Sequence, residues 1–355
     1  MKKILSLLFV FLCLTLLAGC AKEEDYPAVE STEEEARVVI TLKIEDTEYQ
    51  VKYELYRALF LNNKANVDRG DDTVWSSADA QTYIDKINEI IVKEASEIFA
   101  AIHIAESIGY DVYSKDAENR IKSFIAGAVT GDANQAGHGS YDKYLENLKN
   151  NNLNYSTAIL LYRYALAIEA IENYYYGEYE YSEDDVKEYY YSDSCARILQ
   201  AYFPAGAKSY SDVVKFKENI SSLSDEYAIA VRIIGGTAAT ESDLIVNNKV
   251  SGILLGRTAL SSLDYYDYIS TVFSTADGSF SEIITLTNTN ADGYYFVYKL
   301  EKTDQFLEDF YTLAEYSYLE NIIGGVLGSA ESELIESPEF TSDYSYVSHK
   351  DISMN

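Results

Sequence analysis

Hydrophobic periodicity changes twice along this chain, and that constrains its fold more than any other feature. Ile84, Ile87, Ile91, Ala95, Ile98, Ile102, Ala105 and Ile108 recur at steps of three and four. In Ala196 to Phe203, Phe280 to Leu286 and Tyr294 to Leu300 the residues read instead as short strands. From Asp304 the helical step returns through Phe306, Phe310, Leu313, Tyr316 and Leu319. Steps of three and four gather side chains on one helix face, whereas a step of two alternates them across a strand. A chain that switches and then switches back predicts an α+β protein: a discontinuous helical domain, 37–192 and 303–355, completed by the C-terminal helix, with a sheet-and-helix module set into it at 193–302.

Caps and breakers divide these stretches further. Val38 to Ile44 is β-branched and ends in an acidic turn at Glu45-Asp46, and Tyr49 to Leu61 suits a second strand and a first helix. Ser76 or Ser77 is placed to cap the long helix that stops at Gly109, and Ser114 to cap one through Ile121, Phe124 and Ile125. Gly131 to Gly139 reads as a loop, Tyr141 to Leu148 and Ser156 to Tyr175 as helices. Ser182-Glu183-Asp184-Asp185 opens another helix in capping-box form. Within the module, Ser209 to Leu223 and Leu263 to Phe273 suit helices, and Leu254-Leu255 a short strand between Gly252 and Gly256. Gly324-Gly325 should weaken the last helix.

The first residues read as an address. Lys2 and Lys3 precede an apolar run from Ile4 to Leu17, too short to span a bilayer comfortably, and small residues follow. Residues 1–19 are therefore expected to be a cleaved signal. Leu17-Ala18-Gly19-Cys20 resembles the lipobox of bacterial lipoproteins, which implies lipid on Cys20 and a place at the extracytoplasmic face of the cell membrane. The competing reading is an ordinary signal with a coincidental cysteine. Cys13 leaves with the signal and Cys20 carries lipid, so Cys195 is the last thiol and no internal disulfide can form. Residues 20–36 are acidic and poor in apolar side chains, as expected of a disordered tether. The net charge of -30 repels nucleic acid and anionic lipid, which excludes both as partners of the folded body. Tyrosine is abundant at 34 residues, and its ring with a polar tip suits adaptable contacts as well as half-buried packing.

The order of pieces resembles the parvulin-containing foldases of the SurA and PrsA type over almost the whole mature chain. The matching pieces in the helical part are Ala105-Glu106-Ser107-Ile108-Gly109, Tyr144-Leu145-Glu146-Asn147 and Val186-Lys187-Glu188-Tyr189-Tyr190. In the module, Ala196-Arg197-Ile198-Leu199 matches the family's first strand and Gly293-Tyr294-Tyr295-Phe296-Val297 its last. Phe273 with Gly278-Ser279-Phe280-Ser281 matches the stretch before the third strand. The resemblance implies a four-stranded parvulin-type peptidyl-prolyl isomerase module in a helical chaperone domain. It implies no cofactor and no metal. Its partners would be unfolded or newly exported polypeptides, with the membrane reached through lipidated Cys20.

The resemblance also marks what is missing. The family's two strand histidines are replaced by Arg197 and Tyr295. Arginine is donor-only and permanently charged, and tyrosine offers one hydroxyl, so the pair cannot reproduce an exchangeable imidazole network. Weak or absent isomerase activity is expected, and no catalytic residue is assigned. Strand alternation puts Arg197 on one face with Leu199 and Ala201, where a cation requires a carboxylate or water. Peptide-binding candidates under the resemblance are Leu263, Tyr268 and Phe273. For Tyr268 a groove aromatic and a core residue are equally good readings, and for Phe273 packing is the better one. His103, His138 and His349 have no metal-ligand spacing, Gly235-Gly236 lacks the signature of a phosphate loop, and Cys195 has no nearby histidine to activate it. Three functions remain open: a tethered chaperone that binds extended segments, an active prolyl isomerase using altered residues, and a ligand-binding or adhesive lipoprotein.

Overall fold

A computed structural model describes residues 26–131, 137–258, 265–287, 292–336, 338–341 and 352. Cys20 and Leu263 lie outside the described residues. The chain divides into two compact units: Tyr175–Gly325, and the residues up to Tyr174 together with those from Val326 onward. The mixed unit is thus wider than 193–302. A cluster of Val186, Tyr189, Tyr190, Cys195, Phe306 and Ala314 ties its two flanks to the first strand.

In the helix-rich unit, strands Val38–Ile44 (β1) and Thr47–Lys52 (β2) pair antiparallel across a two-residue turn, with Glu45 in the left-handed region at φ 50°. The short strand Glu339–Phe340 pairs with the other edge of β1, Ile40 opposite Phe340. Helix α1, Tyr53–Asp68, follows at once. The long helix α2, Ala80–Ser107, buries Ile87, Ile91, Ala95, Ile98, Ile102 and Ala105, the stripe its sequence spacing requires. Its N-cap is Asp79 with no side-chain bond, while the Ser77 hydroxyl serves the turn before it by accepting from the Asp79 N–H at 3.3 Å. Helices α3 (Lys115–Thr130, capped by Ser114), α4 (Tyr141–Asn150, capped by Ser140) and α5 (Tyr155–Gly177) enclose a second core around Ile121, Phe124, Tyr144, Leu148, Tyr162 and Leu166.

The stretch expected as a free tether differs in its described part, 26–36. Tyr26 stacks on Tyr141 at 5.0 Å, and Glu35 pairs with Arg57 at 2.8 Å. Ser31 donates to Glu54. Burial alone would raise the Glu35 pKa, but the Thr32 N–H and Arg57 hold it down at about 2. Short polar side chains that find specific buried partners order a segment its composition alone would leave loose.

The mixed unit opens with helix α6, Glu183–Tyr191, whose capping box forms in full: the Ser182 side chain accepts from the Asp185 N–H, and Asp185 accepts from that of Ser182. Strand β3, Cys195–Pro204, leads to helices α7 (Tyr210–Ile220), α8 (Glu226–Gly236) and the single turn α9 (Glu241–Leu244). A two-residue hairpin follows, Ile245–Val246 (β4) against Lys249–Val250 (β5), with Asn247 and Asn248 both at positive φ. Strand β6 (Ile253–Gly256), helix α10 (Tyr266–Ser274), short strands β7 (Ser279–Phe280) and β8 (Ile284–Leu286), and strand β9 (Gly293–Lys299) complete the sheet. Its order is β6-β3-β9-β7, all antiparallel, with β8 continuing the β7 edge along β9. Ser281 bridges the interruption: its N–H donates to the Val297 carbonyl and its hydroxyl accepts from the Val297 N–H. The sheet is four strands wide with one edge broken. Helices α7 and α8 cover one face and α10 the other.

The last helix, Asp304–Glu336, passes through Gly324-Gly325 without interruption and departs from helical geometry at Phe310 instead. A glycine in a helix interior costs only about 1 kcal/mol, which burial of Leu319, Ile323 and Leu327 on the same helix offsets.

Candidate functional site

The register of β3 against β9 decides where the chemistry-bearing side chains go. Ile198 stands opposite Lys299, Leu199 opposite Tyr298, and Tyr202 opposite Tyr295. Alternation then sorts the two strands into faces. Leu199, Ala201, Phe203, Phe296 and Tyr298 pack beneath α7 and α8. Ala196, Ile198, Tyr295 and Val297 pack beneath Tyr268 and Val272 of α10. Arg197 belongs to the first face and Tyr295 to the second. Arg197 and Tyr295, the two residues that the sequence resemblance sets against histidines, are separated by the sheet.

Arg197 is 5 % exposed, yet among the described residues no carboxylate pairs with it within ion-pair distance. Its Nε donates to the Ser251 carbonyl at 3.0 Å, its Nη1 to that of Glu301 at 3.1 Å, and its Nη2 to that of Val250. The Phe306 ring lies under the guanidinium at 4.5 Å. Main-chain carbonyls accept from its N–H groups and an aromatic face lies under its charge, in place of the expected carboxylate. Arg197 is a clamp that fixes the β5–β6 connection and the end of β9.

On the second face the tyrosines gather. Tyr202 stacks on Tyr295 with centroids 4.5 Å apart and planes at 16°, and Tyr268 meets Tyr295 edge-on at 5.7 Å. The Tyr268 hydroxyl donates to the Gln200 side-chain oxygen, and that of Tyr202 to the Asp292 carbonyl at 3.2 Å. Tyr268 and Tyr295 are buried at 4 % and 5 % exposure, while Tyr202 and Tyr265 are half-buried and supply the reachable ring surface. Burial raises the pKa of Tyr268, and burial followed by the adjacent Tyr202 raises that of Tyr295. Both stay protonated across physiological pH. The three histidines fall outside Tyr175–Gly325 altogether. Burial pushes the Cys195 thiol up to about 11, which leaves it an inert strand residue. Among the described residues, no group of three or more His, Cys, Asp or Glu side chains is placed to hold a metal ion.

This face can therefore stack and hydrogen-bond, and its buried Tyr268 and Tyr295 hydroxyls keep their protons near neutral pH. Of the residues singled out in the sequence, Tyr268 and Tyr295 come together here. Phe273 sits at the far end of α10 beneath the Arg257 guanidinium, 4.4 Å away. Tyr202 was not singled out. Its signal is the antiparallel pairing itself, since aligning the two strands places it directly across from Tyr295.

No family model matches the chain, and no curated protein matches it. Among solved structures, similarity extends to the foldase protein PrsA from Streptococcus pneumoniae str. Canada MDR_19A, at 13% identity, covering 69% of this chain and 83% of that one with a TM-score of 0.29. PrsA from Bacillus subtilis is also 13% identical, covering 85% of this chain and 93% of that one, with a TM-score of 0.25. Values of this size do not establish a common fold, so the functional reading stands on the geometry of the chain itself.

Proposed function

We propose that this protein is a membrane-anchored extracytoplasmic chaperone of the foldase kind, which binds extended unfolded segments of exported proteins and has lost prolyl isomerisation. The tyrosine face carries this reading. Four tyrosines, Tyr202, Tyr265, Tyr268 and Tyr295, gather at one end of a sheet face where the resemblance expects a peptide groove. Rings with polar tips accept many apolar sequences at low entropic cost, and this is what a binder of unselected clients requires. The separation of Arg197 from Tyr295 by the sheet supports the loss of a catalytic pair. Prolyl rotation faces a barrier of about 20 kcal/mol, which stacking alone leaves in place.

Retention at the membrane rests on the sequence through Cys20. No helix of the described residues is long and apolar enough to cross a membrane. Aggregation of a chemically denatured test protein, followed by light scattering, checks the chaperone reading. Suppression at stoichiometric amounts is expected, and Tyr202→Ala should weaken it several-fold while the thermal midpoint stays within a few degrees. No suppression by the wild type at any ratio would count decisively against the proposal.

A further inference from the structure

At the end of α10 remote from Tyr268, Phe273 forms one wall of an open cleft of about 630 Å³. That volume is in the range of small-ligand sites, roughly 300–1,000 Å³. Three cations line it, Arg257, Lys299 and Lys302, in a chain with 58 acidic residues against 28 basic ones. Lys299 is compensated, because its Nζ lies 3.3 Å from the Asp277 carboxylate. The other two form no ion pair among the described residues. Arg257 donates from Nε and Nη2 to the Asp193 carbonyl at 3.3 and 3.1 Å, with the Phe273 ring as its remaining support. Lys302 donates to the Ser192 carbonyl at 2.6 Å. Among the described residues neither reaches a carboxylate. Carbonyl partners satisfy N–H groups without neutralising charge, and each cation keeps further donors free. Burial pulls the Lys302 pKa down, against the opposing pull of Cys195 and of the Asp277 and Asp193 carboxylates.

The remaining wall narrows the ligand. Asp193 and Glu301 line the cleft beside Asp277, and three carboxylates disfavour a doubly charged phosphate. One carboxylate placed between Arg257 and Lys302 gains two charge-assisted bonds, and an adjacent N–H finds an acidic acceptor.

We infer that this cleft binds a singly charged carboxylate carried next to an amide N–H, the chemistry shared by a peptide's carboxy terminus and a free N-acylated amino acid. The site is independent of the tyrosine face: it occupies the other end of the same sheet layer, where Lys299 follows Tyr295 and Val297 along β9.

Titration calorimetry on the full chain tests it with four probes: an N-acetylated tripeptide acid, its carboxamide, N-acetylglycine and inorganic phosphate. The tripeptide acid is expected to bind about tenfold or more tightly than its amide and than phosphate. Arg257→Gln and Lys302→Gln should each lower that affinity about tenfold, with unchanged unfolding midpoints and with Arg257→Lys restoring part of it. N-acetylglycine binding as well as the tripeptide assigns the site to free acids, and weaker binding assigns it to chain ends; both support a carboxylate site. Equal binding of acid and amide, tighter binding of phosphate, no binding of any probe at millimolar concentration, or unaltered affinity in both variants overturns the inference. Such failure with aggregation suppression intact removes the cleft and leaves the chaperone proposal standing.

Discussion

Arg197 shows how a single side chain can look functional and act structurally. Removing its guanidinium strands the carbonyls of Ser251, Val250 and Glu301 and empties the site over Phe306. Arg197→Met is therefore expected to cost about 3 kcal/mol in urea denaturation. Arg197→His is expected to create no isomerase activity, because an imidazole there faces away from Tyr295. Glu331 gives a second prediction at this scale. Burial and then the repulsion of Glu97, opposed by Lys93, push its pKa up to about 7 from a model-compound 4.5. An acid that holds its proton more tightly when folded favours the fold fully below about 4.5 and loses that contribution as pH rises through 7. Glu331→Gln should raise the thermal midpoint at pH 8 and leave it unchanged at pH 4.

At the scale of elements, the β3–β9 pair sets both the tyrosine stack and the exile of Arg197. Its register depends on Gly293, where a Cβ would meet the Phe203 carbonyl oxygen at 2.2 Å. Backbone cannot yield as a side chain would, so Gly293→Ala is expected to destabilise the mixed unit by more than about 3 kcal/mol and to abolish the Tyr202–Tyr295 stack, read by near-ultraviolet circular dichroism. Much of this architecture was legible in the sequence. The stripe of α2, the Ser114 and Ser182 caps, strand β3 and the pattern of the module all follow from period and capping chemistry. Helix α8 and the Asn247-Asn248 hairpin were not assigned: a short apolar run ending in Gly235-Gly236 resembles a turn, and Asn-Asn is a weaker hairpin signal than Asn-Gly. Alternation put Arg197 on the correct face, but partners that are main-chain carbonyls leave no trace in residue spacing.

For the whole molecule, charge and address work together. A net charge of -30 repels anionic lipid, so the proposed attachment would have to come from the amino terminus. Cys20→Ser is expected to move the protein from the membrane pellet to the supernatant on fractionation of expressing cells, with the hydrophobic mass increment lost from the mature chain. The proposed activity is binding of extended polypeptide without rotation about proline. Uncatalysed prolyl isomerisation takes tens of seconds, so exchange spectroscopy with sub-second mixing detects only catalysed interconversion. The most direct measurement is proton exchange spectroscopy on a proline-containing peptide titrated with the mature protein. Progressive broadening of the peptide's apolar resonances with no cis–trans cross-peaks is expected; cross-peaks between the two isomers, or unaltered resonances at every ratio, would contradict the account.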